Sequence, residues 1–258
     1  MLSKKTVLFG ITDDADKTFI SHMYDLYVKS GKTQNIMYSR FLTPGQRLMC
    51  EERFSPFCDI RFFGGYSEAE RVIAAFVPED FLVADYPLCA IRVQTRGIKE
   101  LTHRDYLGSV LSLGISRELI GDIITEDESA TMLVHEEIRD FLLMNLSRVG
   151  KSPARLSCVE DLGSISGARH MVEVSHTVPS MRLDAVVAAA FNLSRTECAS
   201  IIGQGLAYVN YSVQKKVSAT IKDGDVISAR GYGKFQVATD MHLTKKGRIH
   251  ISIKKYGG

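Results

Sequence analysis

Ser180-Met181-Arg182-Leu183-Asp184-Ala185-Val186-Val187-Ala188-Ala189-Ala190, then Leu193-Ser194-Arg195-Thr196-Glu197, then Gly203-Gln204-Gly205-Leu206-Ala207-Tyr208-Val209-Asn210 decide the architecture of this chain. Leu183, Val186, Val187 and Ala190 recur at helical spacing and predict a helix with one apolar face, announced by Ser180 and leaving Arg182 free near its start. Ser194 and Glu197 predict a capping box, in which hydroxyl and carboxylate satisfy two orphan backbone donors and the Ser cap contributes about 1 kcal/mol. Gly203 and Gly205 predict the stop of that second helix. Beyond it, Lys215-Lys216-Val217 and Ile221-Lys222-Asp223-Gly224-Asp225-Val226-Ile227 are short strand-forming runs separated by turn residues, and Arg230-Gly231-Tyr232-Gly233-Lys234-Phe235 follows directly. Two short helices on a small sheet bring Arg182, Arg195 and the turn lysines toward one surface suited to phosphates. An ordinary α+β core with exposed lysines is the plainer alternative.

Charge is distributed unevenly. Residues 180–258 hold 12 Lys and Arg against 5 Asp and Glu, a net +7, whereas residues 1–179 hold 20 against 25, a net −5. A near-neutral chain therefore joins a basic end to an acidic body, the asymmetry expected when one domain meets nucleic acid. The run Lys245-Lys246-Gly247-Arg248-Ile249-His250-Ile251-Ser252-Ile253-Lys254-Lys255 alternates apolar and polar residues and predicts a last strand with a basic outer face, either extending an RNA surface or guarding a sheet edge.

These residues resemble the RNA-binding domain named after small-subunit ribosomal protein S-four, in the phrases Arg-Leu-Asp, Leu-Ser-Arg-Thr-Glu, Gly-Gln-Gly-Leu-Ala-Tyr-Val-Asn and Lys-Asp-Gly-Asp-Val-Ile. No single phrase is specific, but their order over more than about fifty residues, helix, helix, Gly turn and strand, is the pattern of that domain.

The remaining sequence predicts an α+β, multidomain protein. An N-terminal α+β domain is expected over residues 1–78, a split βαβ domain like an RNA-recognition motif over 79–160, a linker over 161–179 and the S-four-type domain over 180–258. In the first, residues 13–30 read as an amphipathic helix stopped by Gly31, a second helix begins near Pro44, Asp59–Phe63 reads as a strand, and Ser67-Glu68-Ala69-Glu70 reads as a capping box opening a short helix. In the second, strands are expected at Cys89–Gln94, Ile120–Thr125, Ala130–His135 and Arg155–Cys158. Helices are expected from Thr102 to Gly114 and through Ile138, Phe141, Leu142 and Leu146. Stacking aromatics that would make such a sheet grip single-stranded RNA are not evident on its strands, and Arg230-Gly231-Tyr232-Gly233 imitates a ribonucleoprotein signature in the wrong domain.

Composition bounds the function. At 258 residues, 45% hydrophobic and 24% charged, the chain reads as soluble and globular, with no apolar run of membrane-spanning length. Its start, Met1-Leu2-Ser3-Lys4-Lys5-Thr6-Val7-Leu8-Phe9-Gly10, is too short and too soon acidic for a secretion signal, so a cytoplasmic place is expected. Cys50, Cys58, Cys89, Cys158 and Cys198 are odd in number and form no Cys-x-x-Cys, which predicts reduced thiols. Neither they nor the scattered histidines have metal-ligand spacing, so no metal and no cofactor are expected. His103-Arg104-Asp105 has the residues for acid–base chemistry, but Asp105 reads as a cap and no nucleophile stands near, so no catalytic residues are assigned.

Leu101-Thr102-His103-Arg104-Asp105-Tyr106-Leu107-Gly108-Ser109-Val110-Leu111-Ser112-Leu113-Gly114-Ile115-Ser116-Arg117, with Ile120-Gly121-Asp122-Ile123, Gly64-Gly65-Tyr66 and Ala69-Glu70-Arg71, resembles the bacterial YlmH family along nearly the whole chain. That resemblance implies a non-enzymatic, RNA-binding factor associated with the large ribosomal subunit while it holds peptidyl-tRNA, acting in rescue of stalled translation. Its expected partners are ribosomal RNA of the large subunit and, as a further candidate, the peptidyl-tRNA, bound by a monomer. Expected phosphate contacts are Arg182, Arg195, Lys215, Lys216, Arg230 and Lys234, with Ser194, Thr196, Gln204 and Asn210 positioning helix ends and turn. The alternatives are an RNA-modifying enzyme such as a pseudouridine synthase-like protein, in which Asp184 would be the tempting residue, and a factor for subunit maturation or cell division. Against the first, no synthase signature precedes residue 180, and the His-x-Gly-His and Lys-Met-Ser-Lys-Ser signatures of tyrosyl-tRNA synthetases are missing too.

Overall fold

A computed structural model describes residues 2–79, 81, 85–96, 101–165, 171–238 and 247–256, which fall into two units, Met1–Gly167 and Ala168–Gly258.

The first unit begins with α1 (Lys4–Leu8), α2 (Asp14–Thr33), β1 (Met37–Leu42), α3 (Pro44–Phe54), β2 (Asp59–Phe63) and β3 (Val72–Val77). The strands form an antiparallel sheet of order β1-β3-β2. Asp13 caps α2 by accepting from the Asp16 N–H at 3.0 Å. That helix does not stop at Gly31. It runs to Thr33 because Gln34 takes the left-handed position, φ 52°, and its side-chain amide donates back to the Gly31 carbonyl at 2.7 Å. α3 starts at Pro44 as its sequence demands, with Thr43 and Gln46 forming a capping box. The helix expected from Ser67 is absent, and the fully buried run Val72–Val77 is the central strand instead.

The unit continues with β4 (Leu88–Thr95), α4 (His103–Leu111), β5 (Ile120–Thr125), β6 (Ser129–His135), α5 (Arg139–Asn145), the short β7 (Arg148–Val149) and β8 (Ser152–Val159). Their sheet order, β5-β6-β4-β8-β7, and antiparallel pairing are those of a split βαβ sandwich. Asp105 accepts from the Thr102 N–H and hydroxyl at 2.8 and 2.7 Å, so it caps α4. One sheet face packs Ile91, Val93, Met132 and Val134 against Tyr106, Val110 and Leu142 of the helices. On the other face Leu88, Ala90 and Leu133 lie under Phe41, Tyr66 and Ile73, so this part of the surface on which an RNA-recognition motif would stack bases is occupied by the preceding segment. The approach is close: a Cβ on Gly65, φ +98°, would meet Leu133 Cδ1 at 2.5 Å, and one on Gly121 would meet Phe41 Cε1 at 2.6 Å.

The second unit holds β9 (Met171–Val178), α6 (Leu183–Phe191), α7 (Arg195–Gly203), β10 (Ala207–Val209), β11 (Ser212–Val213), β12 (Val226–Ala229), β13 (Gly233–Ala238) and β14 (Ile249–Tyr256), with sheet order β11-β10-β12-β13-β14-β9. The stretch expected as a linker, 161–179, thus contains an edge strand that pairs with β14 along its whole length, from Val178↔Ile249 to Met171↔Tyr256. Val174, His176 and Val178 alternate with Ser175 and Thr177, a period-2 pattern that His176 disguises. The predicted last strand is β14. Of its lysines, Lys245 and Lys246 lie outside the described residues. Leu183, Val186, Val187, Cys198 and Ile202 of the helices bury against Ile227, Phe235, Val237, Ile251 and Ile253, each large aliphatic contributing about 1.5–3 kcal/mol. Among the described residues no single helix is long and apolar enough to cross a membrane.

Candidate nucleic-acid interface

The start of α6 is held from two directions. Arg182 is its N-cap residue, in extended conformation, and forms a bridge with Thr220. The next two N–H groups donate to the loop ahead of that bridge, Leu183 to the Ala219 carbonyl at 2.8 Å and Asp184 to the Val217 carbonyl at 3.2 Å. That loop closes with a turn in which the Ala219 N–H donates to the Lys216 carbonyl at 3.0 Å, so the backbone of Lys216 is one residue from the contact with Asp184. Arg182 does not stand free. Its Nε and Nη2 donate to the two carboxylate oxygens of Asp184 at 3.0 and 3.2 Å, and Arg195 Nε lies 4.0 Å from Asp184 Oδ2. Asp184 is buried, yet both guanidinium groups remain about half exposed. Burial pushes the Asp184 carboxyl up, but the Arg182 hydrogen bonds and the charges of Arg182 and Arg195 outweigh it and hold the carboxyl below its ordinary value.

At the start of α7 the capping box forms as its sequence predicts. Glu197 N–H donates to Ser194 Oγ at 3.2 Å, and the Glu197 carboxylate accepts from the Ser194 N–H and hydroxyl at 2.9 and 2.7 Å. Those bonds lower the Glu197 carboxyl. The Ser194 hydroxyl is thereby engaged in the cap, while Thr196 is exposed one residue past Arg195. Arg182, Ser194, Arg195 and Thr196 therefore gather around the two helix starts, and the turn that holds the first of them is the one that Lys216 opens.

A second cluster sits at the far end of α7, about 12 Å away by the rise of a nine-residue helix. There Gln204 donates to Ser200 Oγ at 2.9 Å. Gly205, φ +73°, leaves room for the Lys215 stem, whose Cε would be 3.2 Å from a Cβ at that position. Arg230 joins through its N–H to the Leu206 carbonyl at 2.9 Å. Asn210 and Tyr211, both at positive φ, form the two-residue turn between β10 and β11. The Asn210 amide donates to Asp225 Oδ1 at 2.9 Å and accepts from the Val226 N–H at 3.0 Å, so it fastens that turn to the neighbouring loop. Lys234 is placed elsewhere. It alternates with the core residues Phe235 and Val237 and lies opposite Ser228 on the sheet face turned from the helices.

Asp184, the organiser of the arginine pair, was not among the expected site residues, although Arg-x-Asp at a helix start is a visible signal for a local ion pair. A buried carboxylate that orients two half-exposed guanidinium groups leaves their outward N–H donors aimed at solvent, the arrangement suited to bidentate binding of phosphate.

Residues 79–161 match the family model described as "Putative RNA-binding domain in YlmH", and residues 181–227 match the model of the S4 domain. The chain is similar to the curated ribosome-associated protein quality control protein P2 of Bacillus subtilis (strain 168), 30% identical over 200 residues that span 76% of this chain and 77% of the relative. A solved structure, cell division protein ylmH from Streptococcus pneumoniae, matches 61% of this chain and 99% of its own with a TM-score of 0.51 and 21% identity, a likeness of fold. With both family models in order and a relative covered over most of its length, this chain belongs to the YlmH family.

Proposed function

We propose that this chain is a non-enzymatic RNA-binding factor that associates with the ribosome, docks on ribosomal RNA of a large subunit carrying peptidyl-tRNA, and acts in rescue or quality control of stalled translation. The observation that carries the reading is the arginine pair held on buried Asp184 at the helix starts of an S-four-type module. The name of the Bacillus subtilis relative supplies the ribosomal setting. In this reading Arg182, Arg195, Lys215, Lys216 and Arg230 meet phosphates, Lys234 on the other sheet face does not share that surface, and Ser194, Thr196, Gln204 and Asn210 hold the helix ends and turns that present them. The factor works in the cytoplasm as a monomer and without a cofactor.

Co-sedimentation tests it. Wild-type protein is expected to pellet with purified large subunits, preferentially with those bearing peptidyl-tRNA, and an Arg195→Ala/Lys216→Ala variant is expected to stay in the supernatant. If about five phosphates are neutralised, affinity falls by roughly two to three decades between about 50 and 200 mM salt. Binding that ignores salt, or a wild type that pellets with neither particle, would sink the reading.

A further inference from the structure

Between α6 and the edge strand β9 lies a cleft of about 870 Å³, within the roughly 300–1,000 Å³ usual for ligand sites. Its helix side is a stripe of Ala185, Ala188 and Ala189, which leads through Asn192 to Arg195 at the start of α7. Its sheet side is β9 with His176, and the beginning of β14 with Arg248 and His250. The small side chains keep the cleft open, and its described lining includes two arginines and two histidines but no carboxylate. Arg248 is fixed against β9, its Nη2 donating to the Thr177 carbonyl at 2.6 Å. Arg195 belongs both to the cleft and to the pair on Asp184, so the two cationic regions are continuous. Both β9 and β14 lie outside residues 181–227, so the sheet side of the cleft is built by elements beyond the segment matched to the S4 domain.

We propose that this cleft takes one unpaired nucleotide of the bound RNA, its phosphate drawn by Arg195 and Arg248 and its base laid on the alanine stripe. The proposal rests on the RNA-binding reading above and adds to it a place for a splayed-out base. Unpaired nucleotides in loops and bulges are the parts of an RNA that can leave the stack and enter a pocket. A peptide strand could also add to the edge of β9, but the cationic lining and its continuity with Arg195 favour a polyanion.

The test is ultraviolet crosslinking of the full chain to purified bacterial large ribosomal subunits, with adducts mapped by mass spectrometry, alongside affinities of Arg248→Gln and Ala189→Leu. Nucleotide adducts are expected on residues 174–178 or 248–250. Each variant should bind about 3- to 10-fold more weakly, and only Arg248→Gln should lower the salt slope, by about 1. Ala189→Leu fills the cleft without changing charge, so its slope should stay that of the wild type. Adducts confined to the helix starts and turn lysines, with both variants binding like wild type, overturn the cleft proposal and leave the RNA-binding reading standing. Adducts at β9 to a ribosomal protein instead of a nucleotide overturn it in favour of strand-edge docking. A wild type that binds no subunit removes the RNA-binding reading and this proposal with it. Should Ala189→Leu fail to fold, the wild-type adducts decide.

Discussion

Asp122 and Asp184 are buried alike, 7% and 5% exposed, and they do opposite things. Asp122, in the first unit, accepts from the Tyr66 hydroxyl at 2.8 Å and from the backbone N–H groups of Glu70 and Arg71 at 2.8 and 3.2 Å. Those donors are neutral and internal, and the two arginines whose charge faces Asp122, Arg71 and Arg117, are part-buried and spend their own donors on backbone carbonyls. Next to it Arg71 donates to the carbonyls of Ile120, Phe41 and Arg117, and burial, with Arg117 adding to it, pushes the Arg71 guanidinium down to about 10. This node joins residues 1–78 to the split βαβ sandwich and spends its polar groups on the fold. Asp184 is satisfied from outside by two half-exposed arginines, so its burial yields an oriented cationic surface. A buried carboxylate marks a functional surface only when its partners keep donors in the solvent.

The largest effect should follow from Asp122→Ala. It strands a buried hydroxyl and two N–H groups and takes away the carboxylate charge that faces Arg71 and Arg117, and the loss in urea denaturation is expected at about 3–5 kcal/mol. The affinity of the remaining folded protein for RNA should not change. A loss below about 1 kcal/mol would erase the distinction between the two nodes. Asp184→Ala should cost less, about 1–2 kcal/mol, because Arg182 and Arg195 can rehydrate in place. Its signature lies in binding. Removing a negative charge from a basic surface would by charge alone tighten RNA binding, whereas losing the anchor of the arginine pair should weaken it by about tenfold, or about 1.4 kcal/mol. A tighter complex measured for Asp184→Ala would mean that the arginines need no organiser.

Acid should separate Asp184 further. Its folded-state pKa lies below the unfolded value of about 3.9, so its contribution is fully present above that value and is lost as pH falls through the folded pKa. The stability advantage of wild type over Asp184→Asn, measured by denaturation from pH 7 to pH 3, should therefore shrink on the acid side. An advantage independent of pH would show that the ion pair carries no weight.

What could be read in the sequence was what is local. Ser194 with Glu197 and Thr102 with Asp105 are three residues apart, and both caps stand where their spacing puts them. Ser67 and Glu70 show the same spacing and make no helix. The Glu70 and Arg71 N–H groups donate instead to Asp122, 52 and 51 residues later, a partner no window around Ser67 contains. β9 was hidden in the same way, because its partner β14 comes at the far end of the chain and its inward row carries His176 among valines. At the interface, the residue types around the helix starts were legible, but the pairing of Arg182 with Asp184 and the placing of Lys234 on the other sheet face depend on packing that spacing does not encode.

The smallest effect expected is that of Ser194→Ala, and it bears on what kind of residue Ser194 is. Its hydroxyl accepts from the Glu197 N–H and donates to the Glu197 carboxylate, so within α7 both its hydrogen-bonding capacities are engaged. Removing it should cost about 1 kcal/mol of stability through the lost cap. If Ser194 acts by holding the first turn of α7, and so Arg195, in place, RNA affinity should fall by no more than about twofold, in step with fraying of that turn, and Ser194→Asp should restore stability because Asp is an equal cap. If the hydroxyl instead met a phosphate directly, Ser194→Asp would restore the cap and still bind worse than Ser194→Ala, because it sets a carboxylate against the phosphate. Comparing the two variants by urea denaturation and by filter binding separates a residue that builds the surface from one that touches the RNA.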